Sequence, residues 1–186
     1  MKNPAQEICP QRDKREQHYL GRVREHSGKY AEFDRTSVEL LLNLVYTYDV
    51  IHSHLARKIE SHGLSSGTFN VLTILSRYGA EGCQMSELGE LLLVSRANIT
   101  GLVDFLVKRG LVERAEDERD RRVRMVRLTH AGAQLIDSIL PLHYARVREL
   151  LKGMGAREKT ALSKLLIKLR HEAQHMLAGQ CEKVKK

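Results

Sequence analysis

Apolar side chains recur between residues 36 and 63 at the spacing of one face of an α-helix. Positions at i, i+3, i+4 and i+7 share a face of such a helix. The members of this stripe are Val38, Leu41, Leu42, Val45, Tyr48, His52, Leu55 and Ile59. Gly63 is expected to end the helix. The pattern therefore predicts one long helix as the first regular element of the core.

Shorter helical patterns follow, each opened by a serine. Ser65 is the expected N-cap of a helix that ends at Gly79 and has Phe69, Leu72 and Leu75 on one face. Ser86 is the expected N-cap of a short helix that carries Leu88, Leu91 and Leu92. Ser95 is the expected N-cap of another helix, which turns Ile99, Leu102, Val103 and Leu106 inward. Only the turn Leu92–Val94 separates these two helices. Two short helices joined by so tight a turn predict a helix-turn-helix.

The segment after this motif, VERAEDERDRRVRMVRLT, predicts a β-hairpin. Two runs that suit strands, LVERA and RVRMVRLT, flank the charged stretch EDERDRR. A hairpin directly behind a helix-turn-helix is a wing. Because two strands alone are marginally stable, we expect Val112, Val126 and Leu128 to pack on the helices. The segment is rich in guanidinium groups, contributed by Arg114, Arg119, Arg121, Arg122, Arg124 and Arg127.

Two more helices are predicted beyond the wing. Thr129 is the expected N-cap of the first, and Pro141 inside it predicts a kink. After the turn GMGA, a last helix carries the apolar stripe Leu162, Leu165, Leu166, Leu169 and Met176, which suits packing on a partner helix. The polar residues 1–33 predict a tail with one short helix near 15–24, and residues 179–186 a basic tail.

These elements predict a mainly α fold with a small β-hairpin wing. Residues 64–128 are expected to form a winged helix-turn-helix DNA-binding domain. Residues 34–63 and 129–178 contain the longer helices on either side of it.

The composition limits the kinds of binding partner and the cellular compartment to be expected for the protein. The formal net charge is +8 and the sequence pI is about 9.5. Such a charge suits a polyanionic partner, either nucleic acid or an acidic membrane surface, and from bulk charge alone it equally suits a merely basic protein. The cysteines Cys9, Cys83 and Cys181 are scattered, so no disulfide framework is expected. No apolar run is long enough for a membrane span, and the N-terminus lacks a signal-peptide core. The sequence predicts a cytoplasmic protein without membrane partners.

The stretch VSRANITGLVDFLVKRGLVERAEDERDRRVRMVRLTHAG, residues 94–132, resembles the MarR family of winged-helix transcriptional regulators. The matching positions are Ser95, Ile99, Thr100, Leu106, Gly110, Leu111, Val112, Arg114, Asp117, Arg119, Asp120, Arg121, Arg122, Leu128, Thr129 and Gly132. The resemblance implies a homodimer that binds double-stranded DNA and is not an enzyme, with repression favoured over activation. It also implies that residues 34–63 and 129–178 form a helical dimerisation region. Some members, including urate-responsive ones, have an added N-terminal helix, which residues 10–30 resemble.

The resemblance also implies roles for the basic residues. Arg119 would enter a narrow minor groove and Asp117 would orient it, while Arg121 or Arg122 would contact phosphates or brace the tip. On the second helix of the motif, the expected contacts come from Ser95, Arg96, Ala97, Asn98 and Thr100, with Ser86 donating to a phosphate. Asn98 would read adenine or serve as a cap. Arg124 and Arg127 are interpreted as a solvated strand face, and a dimer predicts a pseudo-palindromic operator.

Members of the family usually respond to a small ligand, often a phenolic or aromatic acid, so we expect an effector and no other cofactor. The predicted pocket contains Tyr48, Asp49, His52, Phe69 and His143. The alternative for each of these is a polar residue at the margin of a helix stripe, or a core histidine.

Three further hypotheses were weighed against this interpretation. HEAQH at residues 171–175 matches a zincin motif but lacks a third ligand, so a regulatory metal site at His171 and His175 is the better alternative. Peroxide-sensing relatives carry a cysteine early in the first long helix, and residues 36–60 contain none. Exposure of Cys9 in the tail or of Cys83 in a loop is left open, and both are interpreted as incidental thiols. A winged helix for protein contact is disfavoured by the arginine-rich wing.

Leu93 stands where many members have glycine, and a variant of the turn is expected there.

Overall fold

The computed structural model describes residues 30–116 and 123–184, with side chains up to Met176, and Lys14, His18 and Val23 ahead of them. Those three residues are helical. The rest of the predicted short helix near 15–24 lies outside the described residues. So does the tip of the wing, which includes Asp117, Arg119, Arg121 and Arg122.

The first long helix of the core, α1, spans Arg35–Glu60, as its apolar stripe predicts. The Asp34 carboxylate caps it by accepting hydrogen bonds from the backbone N–H groups of Thr36 at 3.2 Å and Ser37 at 3.0 Å. Hydrogen bonds from Ser37 lower the pKa of this carboxyl group. Gly63 follows the helix with a φ of 69°, which confirms it as the stop.

The next three helices are α2 (Ser66–Tyr78), α3 (Met85–Leu92) and α4 (Arg96–Lys108). Ser65 caps α2 through a capping box with Thr68, and Ser95 caps α4 by accepting from the Asn98 N–H at 3.3 Å. The predicted N-cap role of Ser86 is wrong, because Gln84 occupies that position without a side-chain cap and Ser86 lies in the first turn.

The turn between α3 and α4 requires a left-handed residue. Leu93 has φ 53° and ψ 41°. Its N–H donates to Glu90 O at 3.1 Å, and the Val94 N–H donates to Gly89 O at 3.0 Å. These two bonds form a Schellman motif, in which the residue after the helix must be left-handed whatever its type. The expected variant of the turn is therefore wrong.

The wing belongs to a three-stranded antiparallel sheet and not to an isolated hairpin. Its strands are β1 (Cys83–Gln84), β2 (Val112–Glu116) and β3 (Arg124–Leu128), in the order β1-β3-β2. Val112 is opposite Leu128 in the hairpin, and Cys83 is opposite Val126 at the other edge of β3. The third strand attaches the hairpin directly to the start of α3.

One hydrophobic core holds α2, α3, α4 and the sheet together. Its fully buried members include Val71, Leu72, Leu75, Leu88, Val103, Leu106, Val126 and Ile136. From α1, only Ala56 and Ile59 are buried. Most of the predicted α1 stripe is not part of this core, and its large apolar side chains Leu41, Val45 and Tyr48 are more than half exposed.

Two helices complete the chain, α5 (His130–Leu150) and α6 (Ala156–Val184). Thr129 caps α5 as predicted, accepting from the Gly132 N–H at 3.0 Å, and α5 continues through Pro141. Because α6 extends to Val184, most of residues 179–186 are helical and not a tail. Large apolar side chains are exposed along α6, namely Leu162, Leu165, Ile167, Leu169 and Met176. None of the described helices is long and apolar enough to cross a membrane.

Candidate nucleic-acid interface

An open cleft of about 690 Å³ lies where the helix-turn-helix meets the wing. Its walls come from the end of β1, from α3, the turn and the first half of α4, and from the start of β3. Three of the predicted DNA-contact residues, Ser86, Arg96 and Thr100, line it together with Leu93 and Arg124. The cleft therefore combines hydroxyl and guanidinium donors with the N-terminal end of a helix, which favours a negatively charged ligand.

The first turn of α4 presents its side chains to solvent. Ser95, Arg96, Ala97 and Asn98 are exposed, and Thr100 is half-buried with its hydroxyl donating to Arg96 O at 2.8 Å. Since Ser95 provides the cap, the amide side chain of Asn98 is not needed for that purpose. The capping role considered for Asn98 is therefore wrong, and its contact with a base stays a prediction. The exposed turn is a surface of suitable size for a DNA groove.

Three of the six wing-region arginines bind acceptors within the protein. Arg114 Nη2 pairs with Asp104 of α4 at 2.6 Å, and Arg124 Nη1 pairs with Glu116 at 3.2 Å. Arg127 Nε donates to Glu81 O at 3.1 Å. Arg127 is half-buried, so its predicted place on a solvated face is wrong, whereas Arg124 is exposed. These bonds hold the wing against α4 and against the turn before β1.

A further arginine, which the sequence did not single out, joins the end of α4 to the residues that follow α1. Arg109 ends α4, and its Nη1 donates to Gly63 O at 2.7 Å and to His62 O at 3.3 Å. Its Nη2 also donates to His62 O at 3.3 Å, and its guanidinium carbon lies 5.7 Å from the centre of the Phe105 ring. The guanidinium therefore fixes the end of α4 to the backbone that follows α1.

A second, much smaller cleft lies between the C-terminal part of α1 and α5. Its lining contains the basic or imidazole side chains Lys58, His62, His143 and Arg146 and the apolar side chains Leu55, Ile59, Ile139 and Leu142. Its volume is about 10 Å³, room for at most one water molecule. The Nε2 atom of His62 is buried with no hydrogen-bond partner among the described residues. Burial, and secondarily Arg146, lowers the pKa of His143.

The predicted effector residues fall into two groups. Phe69 is buried, and its ring centre lies 5.0 Å from that of His143, which lines the small cleft. Tyr48 and His52 stack on each other at 5.4 Å on the exposed face of α1, and neither they nor Asp49 line the cleft. Lys58, His62 and Arg146 were missed, because only the packing of α1 on α5 brings them together.

The Cys83 thiol, whose exposure the sequence left open, is buried on β1 and hydrogen-bonded. It is 1% exposed, and its Sγ lies 3.4 Å from Glu87 Oε2. Burial and this bond to Glu87 raise the pKa of the thiol to about 11. Glu87 also accepts from the Tyr78 hydroxyl at 2.7 Å, which raises the pKa of Tyr78. A thiol held protonated in this way is a poor nucleophile.

The proposed metal pair gains no further ligand from the fold. His171 and His175 are exposed on α6. Within the described ranges, no group of three or more His, Cys, Asp or Glu side chains is placed to hold a metal ion.

Sequence comparison finds a model of the MarR family over residues 62–123. The HTH-type transcriptional repressor YetL of Bacillus subtilis is 29% identical over 144 residues, which are 77% of this chain and 86% of YetL. The HTH-type transcriptional regulator MhqR of the same organism is 30% identical over 130 residues, 70% of this chain and 88% of MhqR.

Solved structures of similar fold agree with this match. AbsC from Streptomyces coelicolor superposes with a TM-score of 0.71 at 21% identity, over 78% of this chain and 99% of AbsC. MepR of S. aureus, solved in a DNA complex, gives 0.63 at 17% identity, over 69% and 96%. PcaV of S. coelicolor, solved with its natural ligand, gives 0.60 at 25% identity, over 70% and 91%.

Proposed function

The chain belongs to the MarR family of DNA-binding transcriptional regulators, which are not enzymes, and on that premise we propose that it is a repressor that binds a pseudo-palindromic operator as a homodimer and is released by an aromatic acid. The observation that carries the proposal is the cleft between α3, α4 and β3, with its exposed first turn of α4. YetL, which is similar to this chain, is a transcriptional repressor, and this similarity supports repression.

The DNA-binding step uses two kinds of contact. Arg96, Asn98 and Thr100 face the major groove, where a guanidinium recognises guanine and an amide recognises adenine. Ser95 and Ser86, at or near helix N-termini, donate to phosphates, and Ala97 leaves room for the backbone to approach. Arg119, oriented by Asp117, enters the neighbouring minor groove, and Arg121 and Arg122 bind phosphates. These last four lie outside the described residues, and their roles rest on the family resemblance.

Dimerisation is supported by the apolar surface that the monomer leaves uncovered. Tyr48 of α1 is 62% exposed, and Leu165 and Met176 of α6 are 65% and 69% exposed. Such stripes on the two terminal helices are too large to be scattered surface positions, and a second copy of the chain would bury them.

The effector binds in the cleft between α1 and α5. Lys58 and Arg146 provide positive charge for a carboxylate, His62 Nε2 an unused hydrogen-bonding atom, and the rings of Phe69 and His143 an apolar wall. Because the closed cleft holds at most one water, an aromatic acid can enter only if α1 and α5 separate. That separation would change the spacing of the two DNA-reading heads. PcaV, with its bound natural ligand, supports a ligand-responsive mechanism.

The test is a fluorescence-anisotropy titration with a duplex enriched by the protein from its own genome, with random duplex as competitor. We expect dimeric, specific binding that weakens roughly 10³-fold between about 50 and 200 mM salt. Arg119→Ala should lose most of the affinity with the dimer intact, whereas Arg157→Ala on α6 is the matched control. No enrichment of any sequence over random DNA would contradict the proposal.

A further inference from the structure

Leu93 combines a strained backbone conformation with an exposed apolar side chain. It is the one residue other than glycine with positive φ in the part of the chain that the structure describes. A side chain with a Cβ is strained in this region, which is why glycine is usual at such a position. The side chain is also 87% exposed, the largest exposed fraction among the large apolar residues. Within the described residues, no contact buries the Leu93 side chain or compensates for the strain of its backbone.

The position of Leu93 is fixed even though its side chain is exposed. The two Schellman hydrogen bonds, Leu93 N–H to Glu90 O and Val94 N–H to Gly89 O, hold the turn. The side chain lines the 690 Å³ cleft beside Ser86, Arg96 and Arg124. It is therefore an apolar group held at the wall of a cleft that also presents the Arg96 and Arg124 guanidinium groups and the Glu90 carboxylate.

We propose that Leu93 is an affinity contact for DNA, packing against an apolar part of a strand seated in this cleft. This inference rests on the proposed function. DNA offers two apolar surfaces at such a position, the C5-methyl group of thymine in the major groove and the face of a deoxyribose. Burying the leucine side chain against either surface gives a favourable free energy of binding, which the free protein lacks. Strained backbone that persists in a fold is concentrated at sites where a ligand uses it.

Three variants separate the side chain from the backbone strain. Leu93→Gly removes both and should raise the Tm by about 2–4 °C while lowering DNA affinity about tenfold. Leu93→Ala removes only the side chain and should lower affinity as much without raising the Tm. Leu93→Met keeps an apolar side chain of similar volume and should restore most of the affinity. The matched control is Leu91→Ala, since Leu91 is 53% exposed on α3 but does not line the cleft, and its affinity should be unchanged.

A second arm identifies the surface that Leu93 touches. Thymines of the enriched duplex are replaced one at a time by uracil, which removes only the methyl group. If one replacement weakens the wild type but not Leu93→Ala, the contact is that methyl group. If none does so while Leu93→Ala still binds weakly, the contact is deoxyribose. Both results support the proposal.

The proposal is overturned if Leu93→Gly and Leu93→Ala bind the duplex as tightly as the wild type. Leu93 would then be strained without benefit to binding. Failure of the wild type to select any DNA would instead speak against the proposed function, so the two failures are distinguishable.

Discussion

The link between α4 and the end of α1 can be removed by Arg109→Ala. The substitution deletes the 2.7 Å hydrogen bond to Gly63 O, the two 3.3 Å hydrogen bonds to His62 O and the contact with the Phe105 ring. The carbonyl groups of His62 and Gly63 would then depend on water. Because no other described side chain is hydrogen-bonded to these two carbonyls, the loss should be local and measurable.

The size of the effect follows from the geometry. A hydrogen bond from a charged donor contributes about 1.5–3 kcal/mol, and the lower end applies because Arg109 is exposed and water can replace it. The 3.3 Å bonds add little, and an exposed cation–π contact adds about 0.5–1 kcal/mol. Allowing for the replacement by water, we expect a loss of about 1–2 kcal/mol in the free energy of unfolding. For a chain of this length that corresponds to a fall of about 2–8 °C in Tm.

Urea and thermal denaturation at fixed protein concentration measure this loss. Arg57→Ala is the matched control, since Arg57 donates only within its own helix, from Nε to Ser53 O at 3.4 Å. Arg109→Lys keeps the charge without the two-pronged geometry and should recover about half of the loss. The reasoning is refuted if Arg109→Ala and Arg57→Ala are equally stable.

Three other predictions follow from single residues. Gly132→Ala should prevent stable folding, because a Cβ there would lie 1.9 Å from the backbone oxygen of Leu111. Thermal denaturation tests this against Gly153→Ala, where no described atom lies within 4 Å, and a wild-type Tm for Gly132→Ala would contradict it. The Cys83 thiol, with its pKa raised to about 11, should resist alkylation in the folded protein and react in urea. The measurement uses a variant in which the other two cysteines are replaced by serine. Rapid labelling of that folded variant would contradict the prediction. Burial lowers the pKa of His143 below the ordinary 6.5, so the folded state binds fewer protons than the unfolded state. The stability linked to this group is therefore complete above about pH 6.5 and lost as the pH falls through the lowered pKa. His143→Gln should flatten that fall in urea titrations at decreasing pH, and an unchanged profile would exclude His143 as its source.

Local rules were sufficient for much of the fold. Ser65, Ser95 and Thr129 cap the helices they were expected to cap, because an N-cap depends only on a hydroxyl and the next three backbone N–H groups. Gly63 and Gly79 follow helices with positive φ for an equally local reason. The long helices, the helix-turn-helix and the hairpin could therefore be predicted from spacing alone.

Contacts between distant segments could not be predicted in this way. Strand β1 has only two residues, Cys83 and Gln84, too few to show an alternating pattern, and its pairing with β3 shifted the start of α3 ahead of Ser86. The hydrogen bond from Arg127 to Glu81 O joins residues 46 positions apart. Because the sequence does not show this acceptor, an arginine on a strand is interpreted from the sequence as exposed to solvent.

The two halves of the candidate site differ in the same respect. The predicted DNA-contact residues Ser95, Arg96 and Thr100 are close in sequence at the start of one helix, so their shared surface could be expected. The small cleft depends on the packing of α1 against α5, and of its basic and imidazole side chains only His143 was anticipated.

His62 joins the small cleft to the end of α4. Its imidazole lines the cleft between α1 and α5, while its backbone carbonyl, with that of Gly63, accepts from Arg109 at the end of α4. If the proposed effector separated α1 from α5, it would displace a side chain whose backbone is hydrogen-bonded to Arg109. The same movement would disturb Ile59 and Ile139, which line the cleft and belong to the hydrophobic core. The proposed response to an effector therefore requires both a shift at the end of α4 and repacking of the core between α1 and α5.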